Sequence, residues 1–366
     1  MRNYSHPRFL IINTFISLNR GKPFRDCSVM RFYAESFHRH SANIGGINFY
    51  FFHRKLQSMI VIIEDLGVPK EKVEEKFSEL GKSFEYYQTS PENESELIER
   101  CEGAEVVTLV SQEMNAAVIK QLDDLKMISV SFTGFDHVDT EAARKNNVTV
   151  CNVPEYATES VAELVFGFCI GLLREFRRCE KLVREDEKYD FQKPGIKGRT
   201  LEGKTLGIIG TGRIGERVAD MAKAFNTNVV AYDLKKSLEN IEYVSLNELL
   251  EKSDIVTVHV PLTDATKGML DREKIGRMKE NSVLINAARA PIIEKEAIIE
   301  GIREGKLKMG LDVPPKDLPE DVRRSDNIIF TPHIGFYAEE SLENKLDVTV
   351  ENIRKFLQGK PKNVVS

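Results

Sequence analysis

From Met59 onward, short and mostly apolar runs alternate with polar, amphipathic stretches. Ile60–Ile63, Phe84–Tyr87, Val106–Leu109, Met127–Ser131 and Val148–Cys151 are predicted as buried strands. The stretches between them, such as Lys70–Leu80 and Glu94–Arg100, are predicted as helices. A long helix is predicted over Ser160–Arg178, where Val161, Leu164, Val165, Phe168 and Leu172 recur at helical spacing. A polar linker follows, Glu185–Leu201, containing Pro194 and Gly195. A second alternating set then begins. Its predicted strands are Thr205–Ile209, Val229–Tyr232, Ile255–Val260, Val283–Asn286, Lys308–Leu311 and Ile328–Thr331, with helices such as Arg213–Ala224 and Lys295–Glu304 between them. The chain closes with an amphipathic stretch, Ala338–Leu357, and a short polar tail. No internal repeat interrupts this alternation, which is the pattern of parallel sheets covered by helices on both faces.

A chain of 366 residues exceeds what one hydrophobic core usually supports, so two domains are expected. The first 58 residues stand apart, with nine Lys/Arg against only Asp26 and Glu35, four of the seven histidines, and no persistent helix or strand period. They read either as a targeting segment or as upstream sequence ahead of a globular protein that starts at Met59. The expectation is a poorly structured leader over 1–58. A net charge of −5 gives no drive toward nucleic acid or acidic membranes. The apolar run Val165–Leu173 is too short to cross a bilayer. Five scattered cysteines (Cys27, Cys101, Cys151, Cys169 and Cys179) include no C-x-x-C pair. That argues against a disulfide framework or a zinc site and for a reducing cytoplasm. No cluster of His, Asp or Glu has metal-ligand spacing.

The segment Thr205–Gly215 reads TLGIIGTGRIG. A buried strand runs into Gly210-x-Gly212-x-x-Gly215, and a helix follows at once. The first glycine permits a tight turn, the second lets the backbone approach a pyrophosphate, and the third lets helix and strand pack closely. The helix start offers free N–H groups and partial positive charge to phosphates. Asp233 ends the next strand, about 20 residues on, where a carboxylate accepts hydrogen bonds from the adenosine ribose and repels a 2′-phosphate. The cofactor expected is therefore NAD rather than NADP, with Lys235 and Lys236 close enough to soften that preference.

Seven ordered motifs extend this reading. They are SFTGFDHVD (Ser131–Asp139), VPEYATESVAE (Val153–Glu163), GTGRIG (Gly210–Gly215), HVPLTDATKGML (His259–Leu270), LINAARAP (Leu284–Pro291), GLDV (Gly310–Val313) and TPHIGFYAEE (Thr331–Glu340). From Met59 to its C-terminus the chain resembles the D-2-hydroxyacid dehydrogenase family. The resemblance implies an α/β protein of two doubly wound parallel-sheet domains. A Rossmann NAD-binding domain, 156–334, would be inserted in a flavodoxin-like substrate domain formed by 59–155 and 335–366. Tyr156 and Phe336-Tyr337 look like the D-lactate dehydrogenase branch.

Reduction of a 2-oxo acid requires an anchored carboxylate, a polarised ketone and a proton donor. Arg289 matches the family's substrate arginine, and its planar guanidinium suits the first two tasks; Ala290 stands where the family pattern has glycine. His333 matches the proton donor. It is one of three histidines beyond residue 58, with His137 and His259. The family pairs this histidine with a glutamate. Here the aligned residue is Asp317, the segment to His333 is short, and Glu320 is a rival. By resemblance Asp312 contacts the nicotinamide carboxamide, Ala287, Ala288 and Arg289 line the nicotinamide ribose, and Arg213, Ile214 and Pro261 complete the cofactor site. Backbone N–H groups of Thr133 and Gly134 are expected to bind the substrate carboxylate. Tyr156 either closes over the substrate or plugs the core.

The expected function is hydride transfer between NAD(H) and a small 2-oxo or 2-hydroxy acid of the pyruvate and D-lactate kind, without metal, in a cytoplasmic homodimer. Two alternatives stay open: an NAD-sensing corepressor or scaffold on the same fold, and a dehydrogenase for a larger or phosphorylated acid.

Overall fold

The computed structural model describes residues 37–44, 47–54 and 59–366, apart from 186–189, 191, 193 and 194. Two units make up the chain, 1–57 and 58–366. In the first, β1 (Phe37–Ile44) and β2 (Ile47–Arg54) pair antiparallel, with Phe37 opposite Arg54 and Ile44 opposite Ile47. No strand period marks this segment, but its aromatic run Phe49–Phe52 suits a strand. The rest of the leader, Cys27 included, lies outside the described residues, as does Pro194 of the linker.

The second unit contains two parallel sheets. The smaller is built from β3 (Met59–Ile62), β4 (Phe84–Tyr86), β5 (Ala104–Leu109), β6 (Met127–Val130) and β7 (Thr149–Cys151), in the order β4-β3-β5-β6-β7. Alternation along each strand sends side chains to opposite faces. Val61, Val107, Ile128 and Val150 meet Leu97, Val118 and Ala143 from the helices Glu94–Cys101, Ala116–Ile119 and Thr140–Lys145. Ile60, Ile62, Val106 and Met127 meet Val73 and Phe77 of the helix Lys70–Ser78. On that same face lie Leu342, Leu346, Val350 and Ile353 of the final helix, Glu339–Leu357. The C-terminal tail bridges Val364 to Cys151 antiparallel, so the end of the chain closes the edge at β7.

The larger sheet comprises β8 (Thr205–Ile209), β9 (Asn228–Tyr232), β10 (Glu242–Tyr243), β11 (Ile255–Val258), β12 (Ser282–Asn286), β13 (Leu307–Leu311) and β14 (Ile328–Phe330). Its order is β10-β9-β8-β11-β12-β13-β14, and every pairing is parallel. β10 was not expected, because two half-polar edge residues carry no apolar period. The helices Thr158–Leu173 and Arg213–Ala224 cover one face, and Leu246–Lys252 and Lys295–Arg303 the other.

The helix expected over Ser160–Arg178 is broken. It runs Thr158–Leu173, and a second helix starts at Phe176. Glu175 between them adopts φ +57°, and its buried carboxylate pairs with Lys308 on β13. Lys308 also donates to the carbonyl of Leu172, one of the last residues of the first helix. A tertiary ion pair thus overrides a local helical pattern. Strand order reverses between β3 and β5 in one sheet and between β8 and β11 in the other. Ligands bind at the carboxyl ends of strands beside such points; the glycine loop after β8 lies at one of them, and the other candidate residues follow the carboxyl ends of β6, β12, β13 and β14.

Candidate functional site

The loop after β8 has the shape a pyrophosphate requires. Gly210 sits at φ +94°, and a Cβ there would strike the His259 backbone at 2.8 Å. A Cβ on Gly215 would lie 2.0 Å from the carbonyl oxygen of Gly210, so only glycine lets this helix start so close to the turn. Gly212 differs: nothing stands within 4 Å of the corresponding position, which leaves its backbone open. Arg213 and Ile214 then begin the helix, and their N–H groups belong to its free first turn. Asp233 closes the far side. Its carboxylate accepts the N–H and hydroxyl of Thr211 at 2.6 and 3.0 Å and the N–H of Lys235 at 2.9 Å. Burial works to raise this carboxyl's pKa, but these donors outweigh it and hold Asp233 below the ordinary range, hence ionised. Cradle, helix start and carboxylate fit a dinucleotide.

These contacts separate two glycine substitutions. Gly215→Ala forces the helix off the turn and is expected to cost about 1–3 kcal/mol of stability together with NADH affinity. Gly212→Ala meets nothing in the free protein and is expected to lower NADH affinity while leaving the melting temperature nearly unchanged. Thermal melts and NADH titrations of the two variants check this contrast; equal losses of stability would refute it.

The second half of the site is assembled from the ends of β6, β12, β13 and β14. Asn286 ends β12 and organises the loop after it: its side chain accepts the N–H of Ala288 and donates to the carbonyl of Arg289, each at 2.9 Å. Arg289 donates back to the Ala288 carbonyl at 2.9 Å. Its other terminal nitrogen reaches the loop after β6. It lies 3.5 Å from an Asp136 oxygen and fills the space beside Gly134, 2.0 Å from where a Cβ would be. Any side chain at 134 would expel the guanidinium. Thr133 turns its hydroxyl away to the Val153 carbonyl at 2.9 Å. Among the described residues no acceptor is recorded for the N–H groups of Thr133 and Gly134.

His333 stands on a loop built around Asp312. That carboxylate is 1% exposed. It accepts the Thr331 hydroxyl at 2.6 Å, the Ile334 N–H at 2.8 Å and the Gly335 N–H at 3.0 Å. Its backbone carbonyl takes the His333 N–H at 2.7 Å. The loop holds His333 at φ +58°, a conformation uncommon outside glycine and maintained here by the fixed amides on either side. The imidazole packs edge-on against Phe132 and Phe336, with ring centroids 5.9 and 5.5 Å away. Burial among these rings lowers its pKa, and the Arg289 charge lowers it further, while Asp312 and Asp136 pull it back up. Tyr156 completes the aromatic wall, 6.0 Å from Phe132. Its hydroxyl is buried with no hydrogen-bond partner among the described residues.

Arg289, His333, Asp312, Tyr156 and the 133–134 backbone are therefore brought together. Asp317 is not. It lies exposed on a turn at φ +61°, and no ion pair or hydrogen bond reaches it among the described residues. Glu320 opens a short helix and pairs with Arg324 at 2.8 Å. The carboxylates that act on the imidazole are instead Asp312 and Asp136. Asp136 lies within the SFTGFDHVD motif, whose pattern alone does not mark it as a neighbour of the histidine. His259 bonds the Thr257 hydroxyl at 2.9 Å, and burial pushes its imidazole down to about 3, so it stays neutral. Pro261 accepts the Thr266 hydroxyl at 2.6 Å and shapes the loop after β11.

Residues 166–335 match the family described as D-isomer specific 2-hydroxyacid dehydrogenase, NAD binding domain. The chain is 35% identical over 279 residues to a glycerate dehydrogenase of Methylorubrum extorquens, covering 74% of this chain and 88% of that protein. It is 37% identical over 284 residues to a D-3-phosphoglycerate dehydrogenase of Methanocaldococcus jannaschii, covering 74% of this chain but only 53% of that protein. Among solved structures it resembles a D-lactate dehydrogenase from Aquifex aeolicus complexed with NAD and lactic acid. The TM-score is 0.72 at 32% identity, covering 82% of this chain and 96% of the other.

Proposed function

This chain belongs to the D-isomer specific 2-hydroxyacid dehydrogenase family, NAD-dependent oxidoreductases acting on a CH–OH group, and we propose that it interconverts a pyruvate-sized 2-oxo acid and the matching D-2-hydroxy acid. The observation that carries this reading is the meeting of Arg289 and His333 at one aromatic-walled space, beside N–H groups of Thr133 and Gly134 that meet no acceptor among the described residues. In this reading the Arg289 fork grips the substrate carboxylate, which the two amides also receive, and polarises the ketone. A ring nitrogen of His333 delivers a proton to the ketone oxygen in reduction and takes it back in oxidation. Asp312 holds the histidine loop and favours the charged imidazole. Tyr156, Phe132 and Phe336 keep water from the reacting carbon. When bound, NAD(H) supplies or accepts the hydride at substrate C2.

The pyruvate-sized class is part of the same proposal, supported by the packing of Phe132, Tyr156 and Phe336 against one another, with ring centroids 4.9–6.4 Å apart. The partition into 59–155 with 335–366 and 156–334 belongs to the same proposal, supported by the final helix lying on the smaller sheet. So do a homodimer, on the family likeness alone, and a cytoplasmic setting, for which the described cysteines are unpaired. NADH oxidation against a panel of 2-oxo acids tests the reaction. A binding-only scaffold would show NADH affinity without turnover.

Asp233 sets the expected cofactor preference. Replacing it with Asn removes a charged acceptor worth about 1.5–3 kcal/mol, so kcat/KM with NADH should fall about tenfold to a hundredfold while that with NADPH rises or holds. An unchanged ratio of the two cofactors would remove Asp233 from cofactor selection.

A further inference from the structure

The carboxyl edge of the smaller sheet carries buried charges that this reaction does not use. Glu64 follows β3 and is 4% exposed. One of its oxygens accepts the successive N–H groups of Val110, Ser111 and Gln112 at 2.6, 2.7 and 2.9 Å, and the other accepts the Ser111 hydroxyl at 3.1 Å. These amides follow β5, the neighbour across which strand order reverses. They form an anion cradle at a ligand-binding position of the sheet, and the chain's own carboxylate fills it. An anionic group on the far end of a substrate finds no cradle there.

Lys345 is a second buried charge of this region. It lies on the final helix and is 1% exposed, with Nζ 5.9 Å from the centroid of the Phe336 ring. Phe336 in turn packs edge-on against His333, so the ammonium and the proposed proton donor neighbour the same ring. No hydrogen-bond acceptor or ion-pair partner is recorded for the ammonium among the described residues. Glu64 is already saturated, and Asp65 accepts the Gly67 N–H and the Tyr86 hydroxyl, each at 2.9 Å. Burial pushes the Lys345 ammonium down to about 8, against the pull of Asp65 and Glu64. A desolvated ammonium without an acceptor destabilises a fold, and an apolar residue of the same volume is usually the more stable choice. Its presence beside the substrate wall calls for an acceptor that arrives with the ligand.

We infer that Lys345 is a specificity-determining residue that reads the far end of the substrate, donating a hydrogen bond to an oxygen carried on C3 of the 2-oxo acid. This rests on the proposed reductase function and narrows its substrate to acids hydroxylated at that carbon. A hydroxyl on C3 satisfies the ammonium through a charge-assisted bond. A methyl in the same place leaves it desolvated and unpaired. The two groups are close in size, so the distinction is made by hydrogen bonding and not by shape.

The test compares 3-hydroxy-2-oxopropanoate with 2-oxobutanoate as substrates of the full chain with NADH. The wild type is expected to favour the hydroxylated acid in kcat/KM by about tenfold or more. In Lys345→Met that ratio should fall about tenfold toward unity, through KM for the hydroxylated acid more than through kcat. Lys345→Gln, which keeps a donor in place, should retain part of the preference. An unchanged ratio in both variants overturns the assignment, as does a parallel loss of both activities, which would make Lys345 structural. A wild type that oxidises NADH with neither these nor any other 2-oxo acid overturns the reductase reading, and this inference with it.

Discussion

Replacing His333 by Ala is expected to lower turnover by about 10²–10⁴ in both directions, with NADH affinity little changed. The loss follows from proton delivery: with the imidazole gone, the developing alkoxide must take its proton from water that the aromatic wall excludes. The pH dependence should carry the same signature. Burial and the Arg289 charge lower the imidazole's pKa in the free protein. Reduction needs the protonated ring, so kcat/KM for reduction should fall as pH rises through a value on the acid side of ordinary histidine. A substrate carboxylate on Arg289 cancels part of that cation's repulsion. The pH profile of kcat should therefore sit to the alkaline side of the profile of kcat/KM. Oxidation needs the neutral ring and should run the other way. A pH-rate series in each direction, with His333→Ala alongside, checks all of this. Wild-type turnover in the variant would take the histidine out of the reaction.

Arg289→Lys is the second large effect. The guanidinium spans from the Ala288 carbonyl to the space beside Gly134, and a planar fork can meet a carboxylate with two parallel bonds while polarising the neighbouring ketone. An ammonium supplies charge but one point of contact. The expected loss in kcat/KM is about 10²–10³, the scale for removing a donor aimed at developing charge, divided between a higher KM and a lower kcat. Steady-state kinetics of the variant decide it. A loss confined to KM would make Arg289 a binding residue with no part in polarising the ketone.

Legibility in the sequence followed the range of the forces involved. Strands buried on both faces appear as apolar runs, so β3, β5, β8, β11 and β12 could be read directly. The glycine cradle is equally local, because Gly210, Gly212 and Gly215 answer to one turn and one helix start. Arg289 and His333 were found through motifs, which record the local shape of the loops that present them. What escaped depends on partners far along the chain. The break at Glu175 is set by Lys308 on another element, and nothing in the helical spacing betrays it. Alignment along the chain points to Asp317, which the fold places on an exposed turn. The carboxylates near His333 come from Asp312, which also builds its loop, and from Asp136 on the opposite sheet. Lys345 is one charge among many on the amphipathic stretch Ala338–Leu357, and its burial becomes visible only when that helix is laid against β6 and the helix Lys70–Ser78.

The most direct test of this account is the structure of the chain with NADH and oxamate, an unreactive analogue of pyruvate. The account predicts both terminal nitrogens of Arg289 on the oxamate carboxylate and a ring nitrogen of His333 within about 3 Å of its amide oxygen, with the cofactor's pyrophosphate over Gly212. Oxamate bound elsewhere, or Arg289 and His333 directed to separate sites, would contradict it.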